Sequence, residues 1–274
     1  MTTFKNKKIL VTGGACGIGF LMGKKALERG AKHLVIWDIN EDSMLQAASK
    51  LSKKGYSVST NVVDVSNTED VGNTFQSVIA EIGTIDILIN NAGIIVGKPF
   101  YKLTTQEIDR TIEINTLGLM YVALAALPAM IEQHSGFIVN IASAAGLTPN
   151  PGMSVYTASK YAVVGWSDSL RLELLRHHPG IKVLTVMPGY INTGMFAGVK
   201  PPLFMPFLNP DKISAKILNA VEKDKIVLRT PFMVKLTPFL RGVLPISLYD
   251  LLAGRLFKVY DSMNTFIGRN QGIK

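Results

Sequence analysis

Short runs of consecutive apolar residues alternate along this chain with longer stretches in which apolar positions recur every three or four residues. The short runs are KILVT (8–12), HLVIWD (33–38), VSTNVVD (58–64), IDILINN (85–91), GFIVNIAS (136–143) and KVLTVMP (182–188). The stretches between them, at about 18–29, 41–54, 67–82, 104–132 and 154–177, carry the helical period. A strand that is apolar on both faces belongs in a sheet covered by helices on both sides. The alternation therefore predicts βαβ units and a doubly wound parallel α/β sheet, with its ligand site at the carboxyl ends of the strands. Past Pro188 the rhythm gives way to a Gly/Pro/Met/Phe-rich stretch (189–210). A helix from Asp211 to Lys223 and a last strand, IVLRT (226–230), follow. No repeat or linker interrupts the chain. The pattern predicts one catalytic and cofactor-binding domain over 1–230, including a substrate loop at 189–210, with 231–274 as its C-terminal extension.

Composition narrows this picture. The 274 residues are 47% hydrophobic and 18% charged, which excludes a disordered chain. A single cysteine, Cys16, allows no internal disulfide and fits a reducing compartment. The start, MTTFKNKKILVTGG, lacks a secretory leader pattern. The longest apolar run, LGLMYVALAAL, ends at Pro128, short of a spanning helix. The predicted location is cytoplasmic, or peripheral on a membrane. The four histidines (33, 134, 177, 178) show no metal-ligand spacing, and no metal is expected. The net charge of +9 is uneven: residues 198–274 hold 12 Lys/Arg against 5 Asp/Glu, whereas residues 1–197 hold 17 against 15. The basic residues are interleaved with Phe, Leu, Val and Pro, a poor pattern for nucleic acid, and no nucleic-acid partner is expected.

The first strand runs into TGGACGIG (Thr12–Gly19) and then into a helix. Gly13, Gly17 and Gly19 permit a tight turn that lets a pyrophosphate approach the helix N-terminus. A bare βα turn has the same glycines, so the context matters: the second strand ends in Asp38, 19 residues after Gly19. A carboxylate there accepts hydrogen bonds from ribose hydroxyls and repels a 2′-phosphate. No Arg or Lys follows it, and Ala15 and Cys16 add no base, which favours NAD over NADP. Asp64 closes the third strand, as an adenine contact or a strand-end cap. Asn90-Asn91-Ala92-Gly93 closes the fourth, where small residues admit a cofactor or simply form a turn.

Tyr156 and Lys160 lie four apart in the helical SVYTASKYAVVGW and project from one face. An adjacent ammonium lowers a tyrosine pKa from about 10 and makes the phenol usable as a base. Ser143, at the end of the fifth strand, is placed to hold a substrate oxygen. TGGACGIG, NNAG, Asn115, Ser143 and YTASK, in this order and spacing, resemble the short-chain dehydrogenase/reductase family. PGYINT (188–193) resembles that family's loop after the sixth strand.

The resemblance covers roughly residues 5–230. It implies a Rossmann-type sheet of seven strands and a nicotinamide cofactor. It also implies Tyr156 as general acid/base, Lys160 on the nicotinamide ribose, Ser143 orienting the carbonyl or alcohol, and Asn115 holding a relay water. The cofactor-binding set it implies is Thr12, Gly13, Gly17, Ile18, Gly19, Asp38, Asp64, Val65, Asn91, Ala92, Gly93, Tyr156, Lys160, Pro188, Gly189, Ile191 and Thr193. By the same resemblance the helices containing Leu117–Met130 and Ala158–Leu175 pack subunits into a homodimer or homotetramer.

Substrate choice falls after Gly189. Met195, Phe196, Leu203, Phe204, Met205, Phe207 and Leu208 offer a flexible apolar lining, or a loop packed on the core. The tail at 232–269 spaces Lys235, Arg241, Arg255 and Lys258 among Leu, Phe and Val. Amphipathic segments of this kind suit an anionic membrane; a subunit interface or a lid over the pocket reads the same residues equally well. The TGMF and MNTFIGR runs are similar to the retinol and 17β-hydroxysteroid dehydrogenase branch, which acts on lipophilic alcohols and ketones. The expected activity is NAD-dependent oxidation or reduction of a small lipophilic alcohol or ketone: sterol, retinoid or long-chain. A 3-oxoacyl thioester reductase is the enzymatic alternative, and a nucleotide-sensing binding protein with residual activity is the alternative from another class.

Overall fold

The computed structural model describes residues 1–268. Seven parallel strands form one sheet: β1 (Lys8–Thr12), β2 (His33–Asp38), β3 (Val58–Val62), β4 (Ile87–Asn90), β5 (Gly136–Ile141), β6 (Ile181–Pro188) and β7 (Val227–Thr230). Their spatial order is β3-β2-β1-β4-β5-β6-β7, so the order reverses between β1 and β4. A ligand crevice opens at such a reversal, beyond the carboxyl ends of the strands. Strands β3, β4 and β5 are shorter than their apolar runs. The trailing residues of each run, Val63-Asp64, Asn91 and Ala142-Ser143, leave the ladder and turn into the crevice instead.

Alternate strand residues feed two cores. Ile9, Val11, Leu34, Ile36, Ile87, Ile89 and Val139 pack beneath α1 (Gly17–Glu28), α2 (Glu41–Ser52) and α7 (Pro210–Glu222). Leu10, Val35, Trp37, Leu88 and Ile138 pack on the other face against α3 (Thr68–Ile82), α5 (Leu119–Glu132) and α6 (Ser154–His177). The result is the three-layer, doubly wound Rossmann-type fold that the run pattern predicts. The helices start where short polar side chains satisfy free N–H groups. Asn40, Asn67 and Asn209 cap α2, α3 and α7, and Thr104 with Glu107 forms a capping box on α4 (Thr105–Ile112), each cap contributing about 1 kcal/mol.

The 104–132 pattern is one continuous helical segment, but it contains a π turn at Glu113–Gly118 between α4 and α5. It runs through Pro128 to Glu132, as the 104–132 pattern predicts. By length and composition Thr105–Glu132 would suffice to cross a membrane. In this fold it is a core element, with Val122, Ala123 and Met130 fully buried. After β7 the extension forms α8 (Phe232–Val243), α9 (Ile246–Leu251) and a π turn (Leu252–Leu256), then irregular chain to Gly268. Arg269, the last residue of the basic apolar tail, lies outside the described residues.

Candidate functional site

At the β1/β4 reversal lies an open cleft of about 220 Å³. Its floor is the glycine-rich turn. Gly13 (φ 60°) and Gly17 (φ 56°) occupy the left-handed region, where a side chain would be strained. A methyl group at Gly19 would strike the Gly13 carbonyl oxygen and lie 2.6 Å from Asn91 Nδ2. The first turn of α1 carries no acidic residue, whereas α2, α3, α4 and α7 each carry at least one. An anion at the N-terminus of α1 therefore meets the positive end of the helix dipole without a competing carboxylate.

The predicted cofactor residues divide into those that face the cleft and those that build it. Gly13, Gly17, Ile18, Asp38, Asp64, Val65, Asn91, Ala92, Gly93, Pro188, Gly189, Ile191 and Thr193 line it. Thr12 and Gly19 do not. Thr12 is buried, and its Oγ1 accepts hydrogen bonds from Asn91 N (3.0 Å) and Ala92 N (3.1 Å). Asn91 Nδ2 returns bonds to the Thr12 and Gly13 carbonyls, both at 3.0 Å. The two motifs thus staple the end of β1 to the end of β4, and Gly19 closes against that staple. Asp38 stands at the end of β2. Its Oδ2 accepts from Ala15 N (3.0 Å) and its Oδ1 from Asn40 N (3.1 Å), which fixes the carboxylate at the mouth. Asp64 both lines the cleft and turns the chain into α3. Its Oδ1 accepts from the backbone N–H and the hydroxyl of Ser66, so the strand-end cap and the cleft position are the same residue.

Ser143, Tyr156 and Lys160 meet at the inner end of the cleft. Lys160 Nζ donates to the Ile141 carbonyl (3.0 Å) and lies 5.7 Å from the Tyr156 ring centre. Both side chains are buried. Burial lowers the Lys160 pKa to about 8 and raises that of Tyr156 to about 12, with the Ser143 hydroxyl acting against the rise. Burial thus acts on the phenol against the lowering that an adjacent ammonium gives, and the lysine spends a hydrogen bond on a backbone carbonyl.

Asn115 is fully buried in the π turn and does not line the cleft. Its Oδ1 accepts from Ile94 N (2.8 Å), and its Nδ2 donates to Ile94 O (2.9 Å) and Ser159 Oγ (3.1 Å). It remains close to the lysine: a methyl group at Gly93 would lie 3.1 Å from Asn115 Oδ1 and 3.7 Å from Lys160 Nζ.

A second, smaller cavity opens beside the first and shares Ser143, Tyr156, Gly189 and Phe196 with it. Phe196 and Met205 of the predicted substrate lining are here, and Met195 faces the first cleft. Leu203 and Phe204 are exposed instead, and Leu208 packs on the core beneath Ile191. Thr148, Asn150, Met153 and Val259 complete the wall and carry no motif by which a sequence would give them away. Val259 belongs to the C-terminal extension. That segment straps the substrate loop: Leu203 N donates to Phe257 O, Lys200 N to Ser262 O and Ile267 N to Ala197 O. Met263 and Phe266 pack with Tyr156, Tyr190 and Val199.

A family model described as short chain dehydrogenase matches residues 7–202. The chain belongs to the short-chain dehydrogenase family. Among curated relatives of this dehydrogenase, epidermal retinol dehydrogenase 2 of Mus musculus is 33% identical over 96% of this chain and 86% of its own length. Short-chain dehydrogenase/reductase 3 of Homo sapiens is 32% identical over 96% and 87%. Estradiol 17-beta-dehydrogenase 11 of Homo sapiens is 32% identical over 93% and 85%. Among solved structures, a short-chain dehydrogenase/reductase from Burkholderia phymatum in complex with NAD superposes with a TM-score of 0.82. It is 23% identical and covers 93% of this chain and 97% of its own, a likeness of fold. A structure of gox2181 gives 0.74 at 30% identity, over 82% and 94%. The dehydrogenase is accordingly an oxidoreductase by family.

Proposed function

We propose that this enzyme transfers a hydride between NAD(H) and a small lipophilic alcohol or ketone. The observation that carries the reading is the junction of two cavities at Ser143 and Tyr156. One is the glycine-floored cleft with Asp38 at its mouth; the other is mostly apolar. Only there would a cofactor and a lipophilic substrate meet over a proton-transferring group. The residues fit a dinucleotide: a glycine turn without side chains, a dipole end free of acid and a carboxylate at the second strand's end. Gly13, Gly17, Ile18 and Thr193 would hold the pyrophosphate and nicotinamide portions, and Asp38 the adenosine ribose. Asp38 supports NAD over NADP, since a 2′-phosphate there would meet a fixed carboxylate. The bound nicotinamide supplies the hydride acceptor in oxidation and the donor in reduction.

The chain's own residues manage the proton. Tyr156 takes it from the substrate hydroxyl or returns it to the carbonyl oxygen. Ser143 orients that oxygen, and Lys160 beside the ring carries charge that the phenolate needs. Asn115 anchors Ile94 and the Lys160 helix, and the family resemblance gives it the further task of holding a relay water that serves Lys160. One domain over residues 1–230 carries cofactor and chemistry, and the extension closes the substrate side. Exposed Leu124 on α5 with Leu172 and Leu175 on α6 suits self-association into a homodimer or homotetramer. The outer sides of α8 and α9 suit peripheral contact with an anionic membrane.

The test is a panel of lipophilic secondary and allylic alcohols and their ketones, run in parallel with NAD(H) and NADP(H). Turnover with NAD(H) on members of the panel supports the reading. Turnover of acyl thioesters with NADPH alone, or tight cofactor binding without turnover on any compound, replaces it.

A further inference from the structure

Three distant segments meet in one buried polar cluster beside the substrate cavity: Asn150 from the loop after β5, Tyr190 after β6 and Ser262 from the C-terminal strap. All three side chains are more than nine-tenths buried. Ser262 Oγ lies 2.7 Å from the Val259 carbonyl, which takes the one proton that hydroxyl has. The oxygen is then an acceptor for its other neighbours, Tyr190 Oη and Asn150 Nδ2, each at 2.9 Å. Tyr190 Oη in turn accepts from Asn150 Nδ2 at 2.9 Å. The Tyr190 phenol therefore gives its proton to the strap and receives one from the loop after β5. Its ring cannot shift without breaking both bonds in a site largely closed to solvent, where neither is replaced.

That ring stands one neighbour away from the reacting phenol. Tyr190 packs edge-on against Phe196, with ring centres 5.1 Å apart, and Phe196 packs edge-on against Tyr156 at 6.3 Å. Tyr190 lines the substrate cavity, and Phe196 lines both that cavity and the cofactor cleft. Phe196 has no hydrogen-bonding group of its own, so packing against its neighbours sets where its ring lies. Ser262 lines neither space. It is the far end of a contact series, Ser262 to Tyr190 to Phe196 to Tyr156, that leads from the strap to the proton-transferring group.

We infer that Ser262 is a positioning residue for the reaction. By holding the Tyr190 hydroxyl it sets the Phe196 ring against Tyr156, and with it the wall that seats the substrate between Tyr156 and the cofactor. The inference rests on the function proposed above and deepens it, because a residue of the C-terminal strap then governs substrate fit without touching the substrate. Tyr190 belongs to the same tie, so loss of either hydroxyl has one consequence.

The experiment measures kcat and KM for an alcohol that the wild type oxidises with NAD, on Ser262→Ala, Tyr190→Phe and the double variant of the full chain. Each single variant should raise KM about tenfold, the scale of one neutral hydrogen bond at a buried site, with kcat within about twofold of wild type. NAD affinity, read by calorimetry, should stay within about twofold. The double variant should also stay near about tenfold rather than reach the about hundredfold product of independent sites. Loss of folded protein alone lowers apparent kcat and leaves KM in place, so the split separates positioning from stability. Tyr190→Phe removes a single oxygen atom and keeps the ring, and it decides the matter by itself if Ser262→Ala does not fold. An unchanged KM in Tyr190→Phe overturns the inference, as do single-variant effects that multiply in the double variant or NAD affinity that falls in step with the rise in KM; each leaves the dehydrogenase reading intact. Absence of wild-type turnover on every alcohol and ketone of the panel removes the function and the inference together.

Discussion

Tyr156 and Lys160 share a buried site in which neither keeps its ordinary proton affinity, and the consequence is visible in stability. The folded-state pKa of Lys160 is lowered to about 8, while the unfolded chain titrates near 10.5. Between those values the unfolded state binds more protons than the native state, so native stability rises with pH across that window. Relative to Lys160→Met, wild type should gain roughly 2–3 kcal/mol between pH 7.5 and 10, read from urea unfolding at each pH. A constant difference would mean the ammonium is not desolvated in solution. Tyr156 acts with the opposite slope. Its pKa is raised to about 12, so its contribution falls as pH climbs above 10 and leaves the lysine window clear. At the other end of the cleft, Asp38 makes a second residue-scale prediction. Asp38→Ser should lower the NAD-over-NADP ratio of kcat/KM about 10–100-fold, the scale of removing one close like-charge repulsion. An unchanged ratio would show that cofactor choice is set elsewhere.

At the scale of elements, the most telling feature is the strap formed by residues 257–268. It leaves Phe266 against Gly97, where a side chain would strike the ring, and it contributes Val259 to the cavity wall. Phe266→Ala should raise KM for lipophilic substrates about tenfold, in line with the loss of one partly buried aromatic contact, and leave cofactor affinity unchanged. Equal loss of cofactor affinity would mean that the strap supports the whole cleft. The consecutive apolar runs and the 3.6-period stretches made the strands and helices readable from sequence because one sheet with two covered faces imposes them directly. The strap was not readable. Its segments make tertiary contacts through isolated side chains such as Ser262 and Met263, and no period marks them. The π turn at Glu113–Gly118 was hidden for the same reason: one extra residue in a helix leaves the apolar pattern nearly intact while it repositions Asn115.

For the molecule as a whole, the sheet order gathers Gly13, Asp38, Ser143, Tyr156 and Lys160, which lie up to 147 positions apart, at one end of one layer. The motifs named these residues because backbone approach and proton transfer restrict the side chains that serve. Sequence could not divide the cleft-facing members from Thr12, Gly19 and Asn115, whose bonds go inward. Among the described residues after 197, Lys200, Lys212, Lys235, Arg241, Arg255 and Lys258 are exposed. Phe232, Phe239 and Ile246 are 65%, 67% and 79% exposed among Lys235, Arg255 and Lys258. Apolar and basic groups together predict co-sedimentation with phosphatidylserine vesicles at low salt and reduced binding at high salt. A Phe239→Asp/Ile246→Asp double variant should weaken it, and absence of wild-type pelleting at either salt contradicts it.

In the proposed reaction Tyr156 moves the proton at the inner end of the glycine-floored cleft that holds the cofactor. Tyr156→Phe removes one oxygen atom and tests both halves together. With an alcohol that wild type oxidises, single-turnover and steady-state rates should fall 10²–10⁴-fold while NAD affinity, measured by calorimetry, stays within a few-fold of wild type. Retention of more than about a tenth of the wild-type rate would contradict the account.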